Sequence, residues 1–341
     1  MFMIGIDPHK GSHTAVVVDR SEAVLDTIRV DADRFQRERL LAWAARFEPR
    51  TWAVEGATGL GAMLAQQLVA AGEHVVDVPA KLSSRVRLLE RGRIDKTDPN
   101  DARSAAIVAW RTPALNVVAG LDEHRVVLRL LADRDHQITA HRTRTVCRLH
   151  ALVAELVPGG IRKEIVVKQA ELILIDIVPT SATQRQRLDL AYDTLSEIVM
   201  RDERATRNKQ RITTEVIASG TSLPAIFGVG PILAAMLIGY TGDITRFPTA
   251  GHYAAYNGTA PVEFSSSGRT VNRLSRRGNR TLNHALHMVA VTQIRHTHSE
   301  GRAYYDRKLG EGKTPREARR ALKRQISDRV YRQLRLDVGS K

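Results

Sequence analysis

Residues 3–30 read MIGIDPHKGSHTAVVVDRSEAVLDTIRV, and this stretch decides the fold. Three short runs rich in Ile, Val and Thr (Met3 to Asp7, Thr14 to Val18, Ala23 to Val30) are separated by Gly, Ser and Asp punctuation, the pattern of consecutive strands. Connections this short predict an antiparallel meander. Outward from it come a helix pattern from Ala32 to Phe47, an apolar strand Trp52 to Glu55 and a helix Gly61 to Ala71. A strand His74 to Val78 and helices at Leu82 to Glu90 and Pro99 to Arg111 follow. Three strands and then alternating helix and strand predict a ribonuclease-H-like α/β domain over residues 1–115.

Acids recur at the ends of these elements. Asp7 ends the first strand, Glu55 ends the fourth, and Asp98 and Asp101 stand in Lys96-Thr97-Asp98-Pro99-Asn100-Asp101-Ala102. Pro99 suits the first turn of a helix with Asp98 as its N-cap, and the three-residue spacing puts Asp98 and Asp101 near one face. Any one of these acids alone is more simply a turn or helix cap. Together they form the oxygen-rich set that Mg²⁺ takes, with Mn²⁺ as the substitute ion, and such ions assist phosphodiester chemistry. Asp95 lies before the helix and is read as spare.

Beyond the α/β domain, Asp122 to Leu156 and Gln184 to Ile217 carry apolar residues at helical spacing with charges between them. They predict a long helical coiled-coil arm over residues 116–220, turned at Pro158-Gly159-Gly160 and the apolar cluster before Pro179. Residues 221–341 predict a mainly α domain. It opens on Phe227-Gly228-Val229-Gly230-Pro231, which resembles a helix-hairpin-helix element; Gly228 and Gly230 would let a backbone phosphate approach, the plain alternative being a turn between core helices.

The 341 residues carry 52 Lys and Arg against 37 Asp and Glu, a net +15, which points to a polyanionic partner. Residues 268–335 hold 18 Lys and Arg against 5 Asp and Glu, so +13 of that charge lies in one stretch. A solvated face normally mixes signs, whereas a one-signed stretch raises affinity for phosphates. No apolar run long enough to span a bilayer and no signal peptide is found, so no membrane partner is expected and the protein is read as cytoplasmic and nucleoid-associated. The single cysteine, Cys147, is expected to be a buried bystander in a helix.

A second candidate for chemistry is Phe264-Ser265-Ser266-Ser267-Gly268-Arg269. A serine-rich stretch is ordinarily a flexible turn, but Arg269, Arg273, Arg276, Arg277 and Arg280 stand around it and suit phosphate oxygens. His284, His287, His296 and His298 lack a carboxylate or cysteine to complete a zinc set and are read as surface or DNA-contacting residues.

These residues resemble the DEDD-type transposases of insertion sequences, the 110 family, relatives of the Piv DNA invertase. The resemblance runs through nearly the whole chain. Its motifs are Gly5-Ile6-Asp7, Glu55-Gly56-Ala57-Thr58-Gly59 and Lys96-Thr97-Asp98-Pro99-Asn100-Asp101-Ala102-Arg103. Toward the C-terminus they are Gly228-Val229-Gly230-Pro231, Ala255-Tyr256-Asn257-Gly258-Thr259-Ala260-Pro261 and Leu274-Ser275-Arg276-Arg277-Gly278-Asn279-Arg280.

The resemblance implies a RuvC-like domain whose Asp7, Glu55, Asp98 and Asp101 are a metal-binding tetrad, and a second catalytic domain bearing a serine nucleophile that forms a transient phosphoserine link. Counting from Pro261 favours Ser266, while the serine directly before glycine is Ser267. Implied partners are donor and target DNA, a bridge RNA encoded in the element, and further copies of the chain. In that assembly, homodimers join into a tetramer and the RuvC-like domain of one copy completes a site with the serine domain of another.

The expected function is therefore a Mg²⁺-dependent DNA recombinase that cuts and rejoins strands. Its rivals are a RuvC-like nuclease or junction resolvase that hydrolyses, in which the serines are dispensable, and an inactive nucleic-acid-binding protein. An actin-like sugar kinase is a weaker rival, since no second glycine-rich phosphate loop accompanies Gly5-Ile6-Asp7.

Overall fold

The computed structural model describes residues 1–89, 97–160, 167–266, 269–274 and 278–339, and at 87, 89, 262–266 and 269–274 it describes the backbone. The chain divides into two units, Met1–Leu121 and Asp122–Lys341.

In the first unit the meander comprises β1 (Phe2–Pro8), β2 (Ser12–Val18) and β3 (Val24–Asp31). After it come α1 (Gln36–Ala44), β4 (Arg50–Glu55), α2 (Ala62–Ala70) and β5 (Val75–Val78). The unit closes with α3 (Ala80–Leu89), α4 (Asp98–Arg111) and the two-residue β6 (Asn116–Val117). The sheet order is β3-β2-β1-β4-β5-β6. β1, β2 and β3 pair antiparallel, β1–β4 and β4–β5 pair parallel, and β6 returns antiparallel. The expected antiparallel meander is present, followed by helical crossovers that join the parallel strands β1, β4 and β5.

The period of two along β1 sends Ile4 and Ile6 into one core with Leu40 of α1, Leu64 and Leu68 of α2, and Trp52 and Val54 of β4. Met3 on β1 and Ala53 on β4 face the opposite core, with Val76, Val78 and the alanines Ala102, Ala105 and Ala106 of α4. Small residues on α4 let it lie close on the sheet. Gly5 is the closest point, because a Cβ there would stand 1.9 Å from the Ala102 oxygen and 2.7 Å from the Ala106 nitrogen.

One expectation is corrected at the start of α4. Asp98 is its first helical residue, and Thr97, with an extended backbone (φ −124°, ψ 148°), takes the N-cap position without a side-chain cap bond. Pro99 sits within the first turn, where its missing N–H leaves no ladder bond unmade.

The second unit opens with α5 (Glu123–Ala154), followed by α6 (Val167–Ile175) and α7 (Ala182–Ala218). At 32 and 37 residues, α5 and α7 run for about 48 and 55 Å. They lie antiparallel, tied by Arg142 to Asp202, by Arg201 to the Thr145 hydroxyl at 3.1 Å and by Asn208 Nδ2 to the Leu131 oxygen at 3.1 Å. α6 closes one end, where Ala170 and Leu174 pack with Leu149 and Val153 of α5 and with Leu195 and Ile198 of α7. Here Cys147 is exposed, contrary to expectation. The buried stripe of α5 runs through Thr145, Leu149 and Val153, four residues apart, and a residue two positions off that stripe points away from it.

The other end of this pair joins a helical core. A 3-10 turn (Leu223–Ala225) and the glycine turn lead into α8 (Pro231–Thr241); α9 (Ala250–Tyr256), α10 (Arg280–Arg295), α11 (Glu300–Gly310) and α12 (Pro315–Gly339) follow. Leu128, Ile212, Leu237, Tyr253, Leu286 and Ile326 meet in its centre. Between α9 and α10 the stretch read as a flexible turn is a two-stranded hairpin, β7 (Pro261–Ser266) and β8 (Arg269–Leu274), antiparallel from Pro261↔Leu274 to Ser266↔Arg269. Val262, Phe264 and Val271 alternate with polar residues there, a strand signal hidden by the surrounding Ser, Gly and Arg. No helix among the described residues is long and apolar enough to cross a membrane.

Candidate active site

Strand alternation selects which acids face α4. Asp7 follows Met3 and Gly5 on the α4 side of β1, and Glu55 follows Ala53 on the same side of β4. The parallel register pairs Gly5 with Ala53 and Ile6 with Val54, so one further step brings Asp7 beside Glu55. Glu55 is held at its strand end by the turn after it. Gly56 has φ +60°, a left-handed backbone that suits glycine, and the next N–H, that of Ala57, donates to Asp77 Oδ1 at 2.8 Å. Burial pushes the Asp77 carboxyl up.

The close approach of α4 at Gly5 carries its first turn to the same place. Asp7 is 9% exposed, and its carboxyl is pushed up to about 6. Burial is the largest cause; the His9 imidazole opposes it, and the carboxylates of Glu55, Asp101 and Asp98 add to it. His9 was not among the residues expected from the sequence. Its Nδ1 lies 3.6 Å from Asp7 and its Nε2 3.9 Å from Asp98. Ligand atoms of Asp7, His9 and Asp98 all lie within 4.8 Å of one another, a group able to hold a metal ion. The signal for His9 was its place two residues beyond Asp7 in the turn Asp7-Pro8-His9, where strand alternation returns a side chain to the same face.

The donor set fits a hard divalent cation: carboxylate oxygens predominate around a buried acid whose neighbours include three further acids. Glu55 and Asp101 stand outside the tight three-residue group but close enough to act on Asp7.

The second unit holds the remaining candidates. Ser266 ends β7 and pairs with Arg269, which begins β8; Arg273 pairs with Val262. Ser267, Arg276 and Arg277 lie outside the described residues. Arg280 is the first residue of α10, exposed, directly after the N-cap Asn279, whose Oδ1 accepts from the Leu282 N–H at 3.0 Å. Gly228 (φ +87°) packs on α10, where a Cβ would stand 3.3 Å from Thr292, and Gly230 is the N-cap of α8. The segment between α7 and α8 is thus a 3-10 and glycine turn against the core.

Two sequence motifs far apart in the chain meet at the hairpin's base. Asn257 is fully buried; its Nδ2 donates to Ser327 Oγ at 2.7 Å, and its Oδ1 accepts from the Thr259 hydroxyl at 2.7 Å and N–H at 3.1 Å. Gly258 faces Gly278, where a Cβ would stand 2.5 Å from the Gly258 nitrogen. The Asn279 N–H donates to the Tyr256 oxygen at 2.6 Å. Asn-Gly on one side and Gly-Asn on the other therefore clamp the strand ends, and neither role was read from the sequence.

Residues 4–158 match the family model for DEDD transposases of IS110 type, described as a transposase, and residues 221–306 match the model described as transposase of the IS116/IS110/IS902 family. The chain is 28% identical to the uncharacterized 44.8 kDa protein of insertion element IS116 from Streptomyces clavuligerus, over 97% of this chain and 94% of that one. It is 27% identical to the uncharacterized 42 kDa protein of insertion element IS900 from Mycobacterium paratuberculosis, over 97% and 95%. It is 28% identical to the uncharacterized 43.6 kDa protein of insertion element IS110 from Streptomyces coelicolor, over 97% and 93%. Among solved structures, Thermus thermophilus RuvC aligns both in complex with a Holliday junction substrate and alone. The first pair is 20% identical with a TM-score of 0.28, covering 35% of this chain and 99% of RuvC. The second is 19% identical with a TM-score of 0.27, covering 35% and 100%. Scores this low decide nothing alone, and the strand order is what describes the fold. With both family models matched in order and insertion-element relatives along nearly its full length, the chain belongs to the IS110 family of DNA transposases.

Proposed function

We propose that this transposase cuts and rejoins the DNA strands of its own insertion element by strand exchange through a serine, with the DEDD acids holding Mg²⁺, or Mn²⁺ in its place. Asp7, Glu55, Asp98 and Asp101 would hold the ion, with His9 beside them. A divalent ion bound there would activate the attacking oxygen and stabilise the leaving one. The observation that supports this reading is the gathering of Asp98, Asp101 and Glu55 around the buried Asp7, whose carboxyl is pushed up by burial and by these neighbours, so that a bound cation would favour its charged form.

Ser266 is the proposed nucleophile, with Ser267 as the neighbour to test against it. Its hydroxyl oxygen bonds to phosphorus as the bond to a deoxyribose oxygen breaks, and the serine proton passes to that departing oxygen. The number of phosphate ester bonds is unchanged, so the strand can be resealed without an outside energy source. Arg269, Arg273, Arg276, Arg277 and Arg280 are proposed to hold phosphate oxygens near the hairpin. Donor and target DNA are the proposed partners, with a bridge RNA from the element as guide. The concentration of +13 in residues 268–335 supports a nucleic-acid contact there. Assembly of homodimers into a tetramer is supported by exposed apolar residues on and after α6, Leu172, Ile175 and Val178.

The test incubates the purified protein, with RNA transcribed from its element, with labelled donor and target DNA in Mg²⁺. A protein–DNA adduct that survives denaturant is expected, lost in Ser266→Ala, retained in Ser267→Ala, and absent in Glu55→Gln. Free cut ends with no adduct, unaffected by either serine change, would make the protein a hydrolytic RuvC-like nuclease.

A further inference from the structure

Lys323, on α12, is 8% exposed, and its Nζ donates to Asn283 Oδ1 at 2.7 Å. Asn283, on α10, gives its own Nδ2 to the main-chain oxygens of Asn257 at 3.0 Å and Gly258 at 3.1 Å, in the turn that runs through Thr259 and Ala260 into β7. The ammonium is thus tied, through one amide, to the base of the hairpin.

A lysine buried this deeply ordinarily faces a carboxylate. Among the described residues no carboxylate forms an ion pair with Lys323. The acids near it along α12 are engaged elsewhere: Glu317 accepts from the Thr314 hydroxyl at 2.7 Å, and Asp328 takes Arg324 at 3.1 Å. The charged groups that act on Lys323 are instead Arg280, Arg319 and Arg320, and burial first, then these three cations, push its ammonium down to about 8. His287 of α10 is pushed down too, by burial and then by Lys323, Arg319 and His284. A buried ammonium, three guanidinium groups and an imidazole share one corner between α10 and α12, with a neutral amide as the ammonium's acceptor.

Such a cluster is at its least favourable when empty of anions, because desolvation and like-charge repulsion act together and no carboxylate among the described residues pairs with the ammonium. An oxyanion with two free oxygens relieves both, one oxygen toward the ammonium and one toward the guanidinium forks. A phosphodiester has that shape and charge. We propose that Lys323, with Arg280, Arg319 and Arg320, binds a backbone phosphate of the DNA strand on which the β7–β8 hairpin acts, and so positions that strand at the hairpin's base. This rests on the reading of the hairpin as the serine element, but its test does not require the serine to react.

The test is a salt titration of binding to a short DNA duplex of arbitrary sequence, with an RNA duplex of equal length as the second probe. Lys323→Met is expected to bind DNA about tenfold more weakly at low salt, with Lys323→Arg recovering part of the loss. The slope of log affinity against log salt should fall by about one, as for the loss of a single phosphate contact. Without nucleic acid, Lys323→Met should melt no lower than the wild type, since it removes an uncompensated buried charge. Arg320→Gln, at a half-buried position on α12, should lower the slope by a similar amount and decides the matter if Lys323→Met fails to fold. A Lys323→Met protein that melts lower while Arg320→Gln keeps the wild-type slope makes Lys323 a structural strut and overturns the proposal. Loss confined to the RNA duplex overturns it as well. Adduct formation in the wild type is scored separately, so failure of the serine reading and failure of this site are told apart.

Discussion

Asp7 shows how a single buried acid can be costly to the fold. Its carboxyl is raised from 3.8 to about 6, so between these values the folded protein binds a proton that the unfolded chain has released. The metal-free protein should therefore lose stability as pH rises through that window, and above it the full cost is present, up to about 3 kcal/mol. Asp7→Asn should accordingly raise the unfolding free energy of the metal-free protein at pH 8 by roughly 1–3 kcal/mol, measured by denaturant melts in a chelator, while abolishing strand cleavage. A destabilised Asp7→Asn protein would mean that the acid is paid back within the chain rather than by a bound cation. Asp7 was legible as a candidate from its place at the end of the first strand, since the strand pattern around it is strong. His9 and Lys323 were not legible: a single His after a strand and a single Lys in a basic helix have no periodicity to set them apart, and their significance comes from neighbours distant in sequence.

At the scale of elements, the acids converge because α4 can lie directly on β1. Gly5→Ala would put a Cβ within 1.9 Å of the Ala102 oxygen, backbone that cannot swing aside, so α4 must shift as a whole. The expected result is a loss of about 3 kcal/mol or more in stability and, in whatever fraction stays folded, weaker binding of Mn²⁺ measured by calorimetry. Undiminished Mn²⁺ binding in a folded Gly5→Ala protein would show that the position of α4 does not set the site. The long helices α5 and α7 and the strands β1 to β5 were readable because each repeats its apolar residues over many positions at one period. The β7–β8 hairpin was not, since short polar strands among Ser, Gly and Arg look locally like a loop and are defined by pairing with each other. The start of α4 moved by one residue for a related reason: Thr97 and Asp98 are both able caps, and local chemistry does not choose between them.

For the whole molecule, charge is the property that travels furthest. With a net +15, most of it in residues 268–335, binding to arbitrary duplex DNA should be steeply salt-dependent, falling about 10³-fold between low and physiological salt if six or so phosphates are neutralised. A shallow dependence, read by fluorescence anisotropy across a salt series, would mean that the basic stretch is largely solvated. By itself the amino-acid sequence determined the element order of the α/β unit and the two long helices beyond it, and it marked four acids and a basic stretch as candidates, because periodicity, element-end position and net charge are properties of the chain read in order. The tertiary structure alone decided that His9 joins Asp7 and Asp98, that Asn257-Gly258 meets Gly278-Asn279 beneath a hairpin, and that Lys323 is buried among arginines. Those facts depend on packing between segments tens of residues apart, where a missing Cβ or an absent counter-charge acquires meaning only once the neighbouring element is in place.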